Sequence, residues 1–190
     1  LTGSPVCGPN VTSMAYTYDS CSNLTGSPVY GPNVTNMAYT YGGCSNLTGS
    51  PICGEKVINM CGTYSKCVNL TGSPICGPNV TYMAYTYRNW PLNGNAYFYS
   101  SVVNNTRGCF LGKNNSRRIN IYVPSGSTTQ TAVLRNTATT SLVNKAITWT
   151  NAGTYQYNRT YNIYIYPVEN VAAAAIANGD EEANANAGIV

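Results

Sequence analysis

Eight cysteines and seventeen tyrosines are the side chains of this 190-residue chain best able to do chemistry, and the absence of histidine narrows what that chemistry can be. A structural zinc site draws on cysteine and histidine, commonly with a close Cys-x2-Cys pair, and the sequence contains neither histidine nor such a pair. A nucleophile-base triad lacks its base for the same reason. A two-carboxylate mechanism fares no better, because Asp19 and Glu55 are the only acids before Glu169. No catalytic residue, no metal and no cofactor is therefore expected, and the chain reads as non-enzymatic. Binding remains, and tyrosine suits it: the ring offers a broad apolar face and a polar tip to sugars or protein partners.

A repeat places these residues. Leu-Thr-Gly-Ser-Pro begins at residues 1, 24, 47 and 70, so a 23-residue unit is written four times before the chain changes character near Trp90. Periods of this size belong to stacked architectures, in which each unit buries its apolar edge against its neighbours. Superposing the copies gives uniform columns at Leu1/Leu24/Leu47/Leu70, Val11/Val34/Val57/Val80, Met14/Met37/Met60/Met83 and Tyr18/Tyr41/Tyr64/Tyr87. Equivalent side chains of stacked extended units lie about 4.8 Å apart, so these columns predict a continuous core. Residues Val34 to Tyr41 alternate and read as a short strand, while Gly26-Ser27-Pro28 and Gly31-Pro32-Asn33 read as turns. No helical periodicity is expected in residues 1–167.

The cysteines obey the repeat. Cys7, Cys53 and Cys76 share a column with Tyr30, and Cys21, Cys44 and Cys67 share one with Trp90. Replacement by an aromatic marks an apolar slot, which free cysteine also fills, although stacked cysteines would fall within disulfide range as well. Six of the Asn-x-Ser/Thr triplets arise because each unit contains two, and they read either as glycosylation acceptors or as turn residues. Tyr16, Tyr39 and Tyr85 occupy a column in which the divergent third copy has Gly62. They are the candidate binding surface, an exposed aromatic stripe, with core packing as the alternative.

Beyond the repeats, Tyr97-Phe98-Tyr99, Ile119 to Pro124 and Tyr161 to Pro167 read as strands of a degenerate continuation or a β-rich cap. Residues 168–190 turn to Ala, Asn and acidic side chains, a linker or a short capping helix. All ten basic residues lie between Lys56 and Arg159, whereas four of the six acids lie in the tail. Arg107, Lys113, Arg117 and Arg118 form a cluster that could meet an acidic glycan, a phosphate or a neighbouring subunit's tail, or could equally be a solvated loop. Lys and Arg are too sparse for nucleic-acid binding, and no apolar run is long enough to insert into a membrane. The chain opens in mid-phase of its own repeat and is expected to be part of a longer repeat protein.

The pattern Asn-Leu-Thr-x5-Gly-Pro-Asn-Val-Thr-x-Met-x-Tyr-x-Tyr-x2-Cys resembles the 23-residue BspA-like leucine-rich repeat over residues 1–92, with Gly26 and Pro28 where an Ile-rich strand core is usual. The Tyr-rich region that follows is similar to repeat proteins of gut Firmicutes and of the phages that infect them. The resemblance implies an all-β, leucine-rich-repeat-like β-solenoid of stacked 23-residue coils, with four repeats at 1–92, an irregular β-rich continuation or cap at 93–167, and a tail at 168–190. It also implies a surface-exposed adhesin or phage fibre, extracellular or on a cell surface or virion, that binds a receptor or glycan. The alternative is a structural subunit of a self-assembling filament or virion, whose partners are copies of itself.

Overall fold

The computed structural model describes residues 1–112, 118–136, 148–149, 155–157 and 163–189. Six strands form one sheet in the order β1-β2-β3-β6-β5-β4. They are β1 (Ile75–Cys76), β2 (Gly94–Phe98), β3 (Ile119–Pro124), β4 (Thr148–Trp149), β5 (Tyr155–Tyr157) and β6 (Ile163–Val168). The first four in that order run parallel, whereas β5 and β4 continue the sheet antiparallel. Among the described residues three helices accompany it, α1 (Thr128–Asn136), α2 (Val171–Ala177) and α3 (Glu181–Asn186).

The expected all-β solenoid is overturned. Regular strand begins only at Ile75, three helices are present, and the repeats contribute one two-residue strand. Neighbouring repeats nevertheless sit in register, through single parallel bridges linking Ser13 to Asn36, Asn59, Tyr82 and Asn105 in turn. Between bridges the backbone does something other than pleat. Met37, Tyr39, Tyr41 and Gly43 donate their N–H groups to Asn59, Cys61, Thr63 and Ser65 of the next repeat, while Thr40, Gly42 and Cys44 donate three residues back, to Met37, Tyr39 and Tyr41. The alternation over Val34 to Tyr41 is thus a winding turn in which every second amide reaches the neighbouring copy, and not a strand. Gly-Ser-Pro supplies a second reason, since proline has no N–H for a ladder.

The columns form the core. Met14, Met37, Met60 and Met83 are buried, as are Leu24, Leu47, Leu70, Val34, Val57 and Val80, while Leu1 is 74% exposed. Each fully buried aliphatic side chain of this size contributes about 1.5–3 kcal/mol. The uniform tyrosines are buried too, stacked at 5.6, 5.9 and 5.8 Å between successive centroids, and Phe110 extends the pile at 5.7 Å from Tyr87. Their hydroxyls close each repeat upon itself: Tyr41 donates to the Val29 carbonyl at 2.6 Å and accepts the Val29 N–H at 2.9 Å. Threonine fills the adjoining column, with the Thr63 hydroxyl between the carbonyls of Met37 and Met60 at 2.7 and 2.9 Å, its single proton going to one of them.

All eight cysteines are free thiols, and those of Cys44 and Cys67 donate to the carbonyls of Tyr18 and Tyr41 in the preceding copy. The triplet asparagines serve the turns, Asn33, Asn69 and Asn79 donating their amides to carbonyls of Pro9, Ser45 and Glu55. In the sheet, Ile119, Ile121 and Val123 of β3 and Ile163 and Ile165 of β6 face the core. The opposite face stacks Tyr97, Tyr122 and Tyr166. Helix α1, where no helix was expected, is capped by Ser127, whose hydroxyl accepts the Gln130 N–H at 3.0 Å. The tail folds back over β2 and the repeats: Tyr97 donates to Asp180 at 2.6 Å, Ser50 to Glu182 at 2.8 Å, and the Cys53 N–H to the Asn186 carbonyl at 2.7 Å.

Candidate functional site

The winding turn displays one column outward. Tyr16, Tyr39 and Tyr85 take left-handed backbone conformations, with φ of 59°, 52° and 58°, and Gly62 and Gly108 fill the same column with φ of 62° and 60°. Glycine adopts this region freely, whereas a residue with a Cβ pays about 1–2 kcal/mol. The turn therefore demands the left-handed residue, and three copies place tyrosine where glycine would be easier. Strain of this kind concentrates at functional positions.

Each ring leans onto the next copy. Tyr16 and Tyr39 stack at 5.3 Å with planes 9° apart, and Tyr16 remains 61% exposed. Tyr39 lies across Gly62 and Tyr85 across Gly108, so that a Cβ at either glycine would overlap the ring above it. Burial, together with a hydrogen bond to Cys61, pushes the Tyr39 phenol up to about 12. It stays neutral, a hydrogen-bonding group at neutral pH.

Beside Tyr39 runs a groove of about 170 Å³ lined by Asp19, Ser20, Gly42, Gly43, Ser65, Lys66 and Arg88. Lys66 and Arg88 are exposed and adjacent, the Lys66 N–H donating to the Arg88 carbonyl at 2.8 Å. Asp19, Lys66 and Arg88 were not singled out from the sequence, yet the signal is there. The columns 19/42/65/88 and 20/43/66/89 read Asp, Gly, Ser, Arg and Ser, Gly, Lys, Asn, the most varied in a repeat whose core Leu, Val, Met and Tyr columns do not vary.

Of the basic cluster, Arg107 and Arg118 fall among the described residues. Arg118 is committed within the sheet, its guanidinium 4.0 Å over the Tyr164 ring, with hydrogen bonds to Asn120 at 2.7 Å and to the Tyr166 hydroxyl at 2.7 Å. Arg107 is exposed, and its carbonyl accepts the Tyr85 N–H at 2.9 Å, which places it beside the last tyrosine of the strip. Lys113 and Arg117 lie outside the described residues. Among the described residues no cluster of three or more His, Cys, Asp or Glu could hold a metal, and no helix is long and apolar enough to cross a membrane. Comparison with family models, with curated proteins and with solved structures gives no match.

Proposed function

We propose that the chain is a non-enzymatic, surface-exposed repeat protein, part of an extracellular adhesin or phage fibre, whose strip of Tyr16, Tyr39 and Tyr85 binds a receptor or glycan. The supporting observation is the left-handed backbone of those tyrosines in a column that accepts glycine. Stability alone favours glycine there, so the ring is kept for what it presents. Half-exposed aromatics offer an apolar surface against which a sugar ring or a partner's side chain can lie, at little entropic cost.

The test is a glycan and receptor array probed with the wild type and with Tyr16→Gly and Tyr39→Gly. Each variant relieves left-handed strain and loses one ring contact worth about 0.5–1.5 kcal/mol, so stability should move by less than about 1 kcal/mol while binding falls at least about tenfold. Silence of the wild type at every salt concentration would overturn the reading. Concentration-dependent fibres in electron microscopy, without ligand binding, would favour the self-assembling structural subunit instead.

A further inference from the structure

The groove beside Tyr39 owes its existence to two missing side chains. Down the stack its wall reads Asp19-Ser20, Gly42-Gly43, Ser65-Lys66 and then Arg88, so the second copy contributes backbone alone where its neighbours contribute side chains. Gly43 sits at φ +78°, and a Cβ at Gly42 would come within 2.8 Å of an Asp19 carboxylate oxygen. The hollow is therefore bounded by an acid at one end and two cations at the other, with a tyrosine ring and two serines between. Among the described residues, no hydrogen bond or ion pair engages the Lys66 ammonium or the Arg88 guanidinium. Its volume of about 170 Å³ falls below the ~300 Å³ at which drug-sized pockets begin, and suits a single sugar ring.

We infer that this hollow takes one carboxylated sugar residue of a glycan, its carboxylate held by Lys66 and Arg88, its apolar side against the edge of the Tyr39 ring and its hydroxyls donating to Asp19. The assignment deepens the binding role proposed above and rests on it. Each wall selects. A planar carboxylate matches the guanidinium fork, and the pair of cations fixes one end of the ligand. An inorganic sulfate would satisfy the cations but would bring Asp19 no donor and meet its negative charge. A neutral sugar would lie against the Tyr39 edge and leave both cations without a counterion. Of these three, the sugar acid uses the whole wall.

The test is NMR titration of the full chain with methyl galacturonide, methyl galactoside and inorganic sulfate as separate probes. The acid should bind with a Kd of about 1 mM and at least about tenfold more tightly than the neutral sugar, with affinity falling as salt is raised. Lys66→Gln and Arg88→Gln should each weaken the acid about fivefold or more without changing the melting temperature, since both side chains are exposed. Equal affinity for acid and neutral sugar, sulfate binding as tight as the acid, or indifference of both charge variants would overturn the assignment. If the neutral sugar binds and Tyr16→Gly abolishes it, the tyrosine strip stands and the sugar-acid assignment falls. If no probe and no arrayed glycan binds, both fall.

Discussion

Tyr18 and Tyr87 occupy equivalent places in the repeat and make the same pair of hydrogen bonds, yet their surroundings differ in the one respect that sets the worth of a hydrogen bond. The Tyr87 hydroxyl serves Ile75, which is fully buried, donating to its carbonyl at 2.6 Å and accepting its N–H at 2.9 Å. Tyr18 serves Val6, which is 76% exposed, at 2.7 and 2.9 Å. Removal of a hydroxyl strands a buried N–H and C=O in the first case, whereas water replaces it in the second. Tyr87→Phe should therefore cost about 1–3 kcal/mol and Tyr18→Phe about 0.5 kcal/mol or less. Phe110 already stands in the same pile, so the ring stacking survives either change. Chemical denaturation of the two variants provides the comparison, and equal losses would show that burial of the hydroxyl's partners does not set the worth of the latch.

At the scale of elements, the sequence was informative wherever a side-chain period maps onto burial. The Met, Leu and Val columns are core because a 23-residue repeat in register superposes them, and Ile119 to Pro124 alternates because it is a strand buried on one face. The same alternation misled at Met37, Tyr39 and Tyr41: Met37 and Tyr41 are buried, but Tyr39 between them is a left-handed turn residue. Period alone cannot separate a pleat from a turn that sends every second amide to its neighbour. Helix α1 was missed because Thr128, Thr129 and Thr131 are poor helix formers, although Ser127-x-x-Gln130 carries the spacing of a capping box. The tail was ambiguous because nothing local shows what covers it, and its attachment is made by residues distant in sequence. Asp180 is the hub, accepting from Tyr97 at 2.6 Å and from Asn95 at 3.3 Å. Asp180→Ala removes a charged acceptor worth about 1.5–3 kcal/mol. Amide exchange over residues 171–187 should then accelerate tenfold or more while the repeats keep their protection, as expected for a local opening unit. Uniform acceleration along the chain would show that the tail and the repeats unfold as one.

Across the whole molecule the dominant titratable groups are acids held in their neutral form. Burial pushes the thiols of Cys53 and Cys109 up to about 12 and that of Cys44 to about 11, against an ordinary value of 9.0. It carries the phenols of Tyr64 and Tyr87 well above 10.0, each with the neighbouring tyrosine of the pile adding to the shift. In the unfolded chain these groups lose their protons near 9.0 and 10.0, so above those values the native state holds more protons than the unfolded state. Linkage then gives stability a negative slope with pH. The contribution of these groups is intact below pH 9, begins to fall as thiols ionise in the unfolded chain, and falls more steeply once tyrosines join above pH 10. Melting temperature followed from pH 7 to pH 11 should accordingly hold steady and then drop. Tyrosinate absorbance from the buried pile should emerge together with the loss of structure, not ahead of it. Reductant should shift neither curve, because all eight cysteines are thiols with no bridge to break. Ionisation of the pile in a chain that keeps its native circular dichroism would refute the account. It would mean that water reaches Tyr64 and Tyr87, and the repeats would then owe their registration to the backbone bridges and not to the dry column between them.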